Sequence, residues 1–549
     1  MVKFRSFRFL AGALLGVLVF WGSFYNLANY PTIWWDEAIA NYPTIWWDEA
    51  IFSETAANLV QHGRYAFTVQ SPSQLSDLDF RISVGPAVIL PVALAYKLLG
   101  VGVAHGRLAA GAYLVLAFLA LFLAARRLWG SAAALGAVAL AFLGTDVLYW
   151  GRSVLGDVPA LGLFLLGVWF LSRGLDNLSL ISLFLGGIFL GLAFDAKEFY
   201  GLAFLPPLAL LARRWWPDKV RLLKALLAFG LGLSLPLAGY LLLKVLILGS
   251  LTDAVHHFLD QKKLLCHEFF TPLTIGRIYP ESLLYILRHP LFWLGGLGAY
   301  GLWRKGRLSW GEKLWLWNFL LWSLVYLTAV YWHRFALPAL FLAGPLAVQF
   351  LRRVTERLSA CLAPPPRWLA PGILAVFLII FYPFSAVDVL KAISTRDTDP
   401  PHRLVEYLKN RVPRNCLIET PEYELVFLTD NHRIHVMPAY YFVESTPEGI
   451  VLLNPRNKPY DFNQVGADLL ILGSFGKSVF KQVYPPACLT GKWRRIAQVG
   501  FYDIYVSRKL QKKLLKMLTS PVVPARLDSR VKHNYSGLNA QPFNNTYYH

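Results

Sequence analysis

Hydrophobic and polar positions along this chain alternate on a coarse scale, as long apolar runs separated by short charged loops. The runs lie at about 8–27, 105–125, 131–150, 158–172, 178–194, 198–212, 224–247, 291–303, 314–332, 335–350 and 369–390. A helix needs about 20 apolar residues to cross ~30 Å of hydrocarbon. The pattern therefore predicts an α-helical polytopic membrane protein with about 11 transmembrane helices. After residue 390 the pattern changes. "PPHRLVEYLKNRVPRNCLIETPEYELVFLTD" reads helix, turn, strand, helix, while "ADLLILGS" and "FYDIYVSR" read as strands. Three regions are predicted: a membrane-embedded part over 1–390 with a first outer loop at 28–104, a small C-terminal α/β domain over 391–510, and a basic, poorly ordered tail over 511–549.

Composition agrees with that class, since only 16% of the residues are charged against roughly 25% in soluble proteins. The formal charge of +20 could point to nucleic acid. The Lys and Arg residues stand in short loops between apolar runs, however, where they set orientation and meet anionic headgroups. Membrane lipids are the expected partner, and nucleic acid is not. If Arg126-Arg127, Arg213-Arg214, Arg304-Lys305 and Arg352-Arg353 are cytoplasmic together with Lys3, Arg5 and Arg8, the eleven spans alternate without contradiction. This requires residues 84–100, "VGPAVILPVALAYKLLG", to lie as a juxtamembrane or partly inserted helix on the outer side. The N-terminal run reads as a retained first helix with a cytoplasmic start, and the C-terminal domain then falls outside. A prokaryotic plasma membrane is the default location. Cys416 and Cys488 share the C-terminal domain and could pair in an oxidising compartment.

Under that topology the outer face collects Asp48, Glu49, Arg81, Arg152, Asp157, Asp195, Lys197, His256, His257, His333 and Arg334. Charges near span ends need a reason in so apolar a chain. A carboxylate there can accept a proton from an acceptor hydroxyl, and cations can hold a phosphate as it leaves. Each residue also has a plainer reading. "WWDEA" suits an interfacial aromatic belt with acids at a helix start; Arg152 and Asp157 could pair with each other; Lys197 could snorkel to headgroups. His256-His257 could ligate a divalent metal, but adjacent histidines alone favour no metal, and no cofactor is assigned.

The ordered pieces "WWDEAIFSETAANLVQHGRYAF", "RISVGPAVILPVALAYKLLG", "RSVLGDVPALGLFLL", "GLAFDAKEFYGLAFLPP" and "YWHRFALPALFLAGP" resemble the GT-C type of membrane glycosyltransferase. Within that type they resemble in particular the group of protein O-mannosyltransferases and lipid A aminoarabinose transferases. The resemblance covers roughly residues 1–350. It implies inverting transfer of a sugar from a polyprenyl-phosphate carrier to a lipid, glycan or protein hydroxyl on the outer face. It also implies Asp48 as the base with Glu49 beside it, Asp157 as a second acidic position, and Lys197 and Arg334 as cations for the carrier phosphate. Relatives often carry Lys-Pro-Pro where this chain has "RISVGP", and Arg81 is the candidate to take that cation's role. A transporter or flippase for a lipid-linked sugar, or a polysaccharide polymerase, is the alternative. Charges at span ends on one side favour surface chemistry over transport.

The segment "ANYPTIWWDEAI" occurs twice in succession, over residues 28–51. Pro31 and Pro43 break any continuous helix through the repeat, so one pocket would not receive both Asp-Glu pairs. The second copy runs directly into the family-like stretch, which favours Asp48-Glu49, with Asp36 and Glu37 as the alternative pair. A perfect repeat is what a duplication or an assembly error leaves.

Overall fold

The computed structural model describes residues 2–25, 27, 47–71, 74–269, 280–328, 333–361, 372, 376, 400–429, 432–437, 442–446, 449–453, 460–477, 480–481, 483–485, 489 and 491–508. The chain divides into two compact units, Met1–Thr68 with Leu75–Asp399, and Val69–Gln74 with Pro400–His549. The division thus falls some ten residues later than the change in hydrophobic pattern, and a short piece of the first loop joins the second unit.

The first unit is helical. Its elements are α1 (Val2–Phe24), α2 (Trp47–His62), α3 (Pro86–Leu99), α4 (Val103–Trp129), α5 (Ser131–Gly144), α6 (Val147–Gly151), α7 (Asp157–Asn177) and α8 (Leu180–Ala196). They continue with α9 (Leu205–Trp215), α10 (Lys219–Leu248), α11 (Leu251–Phe269), α12 (Pro280–Arg288), α13 (Pro290–Arg304), α14 (Trp310–Thr328) and α15 (Leu337–Cys361). Among the described residues four helices are long and apolar enough to cross a membrane: 103–129, 157–177, 219–248 and 333–360.

Two expected spans take a broken form. The run at 131–150 stops as a helix at Gly144, turns through Thr145 and Asp146, and resumes as the five-residue α6. The run at 198–212 opens as a 3-10 helix over Glu198–Phe204 and becomes α-helical only at Leu205. The Pro206-Pro207 pair fits the change, because proline is best tolerated in the first helical turn, where its missing N–H has no intrahelical partner to lose. The eleventh expected span, 369–390, lies outside the described residues. The stretch 84–100 forms α3, whose 14 residues reach only ~21 Å at 1.5 Å per residue.

Small residues let these helices approach closely, as membrane packing requires. On α8, a Cβ placed at Gly187 would lie 2.8 Å from the Leu233 nitrogen of α10, so only glycine permits that contact. On its other side α10 exposes Leu223, Leu227, Leu231, Leu235, Leu242 and Leu246, a face suited to lipid.

The second unit holds a mixed sheet. The first loop carries β1 (Ala66–Gln70) and β2 (Gln74–Asp77), and the elements that follow in the second unit are α16 (Pro400–Arg411), β3 (Leu417–Glu419), α17 (Glu424–Leu428), β4 (Arg433–His435), β5 (Phe442–Thr446), β6 (Gly449–Leu453), β7 (Leu469–Leu472), α18 (Ser474–Lys477), β8 (Trp493–Val499) and β9 (Tyr502–Ser507). β3 pairs parallel with β4 and β7, and β9 pairs antiparallel with β7 and β8. Along the outer side of β4, Ser71 donates to Ile434 O at 2.8 Å and Val436 donates to Val69 O at 3.0 Å, which is why Val69–Gln74 belongs to this unit. Cys416 is buried as a free thiol, and Cys488 lies outside the described residues.

Candidate active site

Asp48 and Asp157 each occupy the first turn of a helix, α2 and α7 respectively. Unpaired backbone N–H groups and the helix dipole favour a carboxylate at that position. The two residues are over a hundred positions apart in sequence, yet one guanidinium joins them. Arg334 Nη1 donates to Asp48 Oδ2 at 3.1 Å and stands 3.8 Å from Asp157 Oδ2. Arg334 comes from the 3-10 turn His333–Ala336 that leads into α15, and its guanidinium lies 5.7 Å from the Trp150 ring. The three side chains differ in access. Arg334 and Asp157 are 4% and 5% exposed, whereas Asp48 is 22% exposed, so Asp48 is the more accessible carboxylate of the pair.

Glu49 points elsewhere. It is 1% exposed and takes two bonds from Arg107 of α4, Nε to Oε1 at 2.8 Å and Nη2 to Oε2 at 2.7 Å. Its Oε1 also accepts the Val154 N–H at 3.1 Å. Arg107 Nη1 donates to Leu27 O at 3.0 Å. Glu49 therefore anchors the start of α2 to α4 and to the turn before α7, and its neighbour Asp48 is aimed by that anchoring.

The other sequence candidates divide. Lys197 ends α8, and its stem crosses Gly156, the residue before Asp157: a Cβ on Gly156 would lie 3.3 Å from Lys197 Cδ and 2.8 Å from Val84 Cγ1. Its ammonium makes no hydrogen bond among the described residues. Arg152 instead closes the end of α1, with Nη1 donating to Gly22 O at 2.8 Å and Nη2 to Tyr25 O. Arg81 is held by Asp79, with Nε to Oδ1 at 2.7 Å and Nη2 to Oδ2 at 2.9 Å, and lies over the Phe67 ring. Burial alone would raise the Asp79 pKa, but Arg81 holds it below the ordinary value. At the entry to α3, where relatives carry Lys-Pro-Pro, the Ala87 N–H donates to Asp195 Oδ2 at 2.6 Å.

His257 shares a 2.7 Å hydrogen bond with Leu78 O and stacks on Phe80; burial lowers its pKa. His256 is exposed. Among the described residues no three His, Cys, Asp or Glu side chains converge where they could hold a metal ion. Asp36 and Glu37 lie outside the described residues.

Buried ionisable residues of this unit that sequence pattern did not single out include Arg107, Asp146 and Lys244, which is 1% exposed and donates to Gln261 Oε1 at 3.3 Å. Each interrupts or adjoins an apolar run. That signal marks an ionisable group in a span as functional or paired.

The fold is that of the GT-C membrane glycosyltransferases. ArnT from Cupriavidus metallidurans, crystallised with undecaprenyl phosphate, superimposes with a TM-score of 0.58 at 15% identity over 91% of this chain and 98% of that one. The archaeal oligosaccharyltransferase AglB from Archaeoglobus fulgidus, in complex with an inhibitory peptide and a dolichol-phosphate, gives a TM-score of 0.52 at 13% identity over 92% of this chain and 75% of that one. Residues 83–239 match the family model of dolichyl-phosphate-mannose-protein mannosyltransferases. No curated protein sequence matches the chain. The chain is thus an integral membrane protein similar to the protein O-mannosyltransferase and lipid A aminoarabinose transferase group, as its motifs implied.

Proposed function

We propose that this protein is an inverting glycosyltransferase that moves a sugar from a polyprenyl-phosphate carrier to a hydroxyl acceptor on the outer membrane face. The observation that carries the reading is the Asp48–Arg334–Asp157 cluster, because it places one accessible carboxylate beside a buried, fixed cation. In the proposed step the acceptor oxygen bonds to the sugar's anomeric carbon as the bond from that carbon to the phosphate oxygen breaks. The acceptor proton passes to Asp48, and the bonding pair departs with the polyprenyl phosphate. Arg334 offsets the repulsion between the two carboxylates and fixes the Asp48 side chain. Asp157 holds Arg334 from the other side. Lys197, next to this cluster and without a hydrogen-bonded partner among the described residues, is the leading cation for the carrier phosphate.

The relatives' ligands, a polyprenyl phosphate in each case, support the carrier class. The test is release of carrier phosphate from undecaprenyl-phosphate-linked mannose, glucose, galactose and arabinose by membranes carrying the wild type or Asp48→Asn. Turnover of one donor, lost in the variant, supports the reading. Equal turnover in both removes Asp48 as the base.

A further inference from the structure

We propose that Asp146, held by Trp150 and flanked by His333, forms a saccharide-hydroxyl subsite beside the Asp48–Arg334–Asp157 centre. The inference takes its ligand class from the glycosyltransferase reading, but its test does not depend on turnover.

Asp146 occupies the break between α5 and α6, in a run that hydrophobicity alone would make one continuous span. Its side chain is buried, with 8% of the residue exposed. One carboxylate oxygen is accounted for, since Oδ2 accepts the Trp150 indole N–H at 2.8 Å. The other, Oδ1, is buried and makes no hydrogen bond among the described residues. A buried acceptor left without a donor costs stability, so a position like this calls for a donor that arrives with a ligand. A carboxylate is an acceptor only and matches O–H donors.

The surroundings fit a sugar. The same indole that holds Asp146 lies 5.7 Å from the Arg334 guanidinium, so the carboxylate stands one ring away from the reacting centre. His333, the residue before Arg334, is close enough to act electrostatically on Asp146 and stacks on Tyr285 at 4.2 Å between ring centroids. Rings offer flat apolar faces to the C–H side of a sugar, and the carboxylate and imidazole serve its hydroxyls. The saccharide bound here is either the donor's sugar ring or a saccharide acceptor.

The experiment measures binding of soluble methyl glycosides of mannose, glucose, galactose and arabinose to the full chain in detergent, by saturation-transfer NMR with competition. It compares the wild type, Asp146→Asn, Trp150→Phe and Asp48→Asn. Asparagine keeps an oxygen for Trp150 and replaces Oδ1 with a donor, so it removes the acceptor with little change of shape. The expected result is saturable binding of at least one glycoside to the wild type, weakened at least tenfold in Asp146→Asn, less in Trp150→Phe, and retained in Asp48→Asn. Asp146→Asn should melt at the wild-type temperature, because Oδ1 supports no contact that folding needs. Binding displaced by the turned-over undecaprenyl-phosphate sugar marks the donor ring, and binding that persists beside it marks an acceptor. Absence of glycoside binding to the wild type, equal binding to Asp146→Asn, or a lowered melting temperature in that variant would overturn the subsite. Glycoside binding without turnover of any lipid-linked sugar would leave the subsite standing and remove the transferase reading.

Discussion

Arg107 grips Glu49 with two charge-assisted bonds of 2.8 and 2.7 Å in a place where neither side chain meets solvent. The pair joins α4 to α2 one residue away from Asp48, so it fixes the start of the helix that carries that carboxylate. Breaking a buried ion pair by removing one partner strands the other charge and costs about 3–5 kcal/mol. Glu49→Ala and Arg107→Ala should therefore each lower the melting temperature sharply and lose turnover together with stability. Arg107→Lys should fail too, because a point charge cannot make both bonds. The paired change Glu49→Met with Arg107→Met should recover much of the stability and little of the turnover. Thermal unfolding alongside carrier-phosphate release would check this. A single variant that melts like the wild type would show that the pair carries no structural weight.

Arg334 supports a different expectation, since it touches both carboxylates. Arg334→Gln removes the cation and leaves Asp48 and Asp157 facing each other, and turnover should fall by about two to three orders of magnitude, as when a preorganised charge is lost from an active site. Arg334→Lys should recover part of that, because it returns charge without the fork. Steady-state carrier release in both variants is the measurement. Comparable rates for the glutamine and lysine variants would mean that charge at this position is irrelevant to the step.

Asp48, Asp157 and Arg334 could be named from sequence because each lies in a stretch with a family pattern at a span end. Their convergence is visible only in the fold. Glu49 shows the opposite case. Adjacent to Asp48 in sequence, it was a natural second catalytic acid, but consecutive helical residues face different ways, so the two carboxylates diverge. Arg107 and Asp146 sit where hydrophobic averaging hides single charges. Arg107 lies near the start of an apolar helix, and Asp146 at the break in an apparent span. Arg81 is a candidate cation through the family resemblance, and Arg152 through its place at a span end. Local partners, Asp79 and the last carbonyls of α1, engage them, and no sequence spacing announces that.

Gly156 tests how tightly the site is built. At a backbone angle any residue can adopt (φ −83°), its requirement is purely for space: a Cβ would meet the Ala196 carbonyl oxygen and come within 2.8 Å of Val84 Cγ1. Gly156→Ala should cost about 1–3 kcal/mol, the usual penalty for overpacking. It should also separate Lys197 from Asp157, so that the KM for the lipid-linked donor rises more than kcat falls. Kinetics at saturating and limiting donor would reveal this split, and an unchanged KM would detach Lys197 from donor binding.

The second unit carries its own pH dependence. Glu422 and Glu424 are both 0% exposed, with Glu422 Oε1 accepting the N–H groups of Gly473 at 2.7 Å and Gly476 at 2.9 Å. Glu424 Oε1 accepts the Tyr502 hydroxyl at 2.7 Å. Burial pushes Glu422 up to about 7, opposed by those backbone donors and by Lys477. Burial and the neighbouring Glu422 raise Glu424 further. The sign follows from linkage. A carboxyl whose folded pKa lies above its unfolded value of about 4.3 holds its proton more tightly when folded. Its contribution is complete below about pH 4.3 and is lost as pH rises through the folded value. Hydrogen-exchange protection of β7, which runs beside this pair, should therefore weaken between about pH 5 and 8. In Glu422→Gln, which cannot ionise, the weakening should be smaller and protection at pH 8 higher than in the wild type. A wild-type profile that is flat, or that strengthens over this range, would mean that burial does not hold these carboxyls protonated in the folded state.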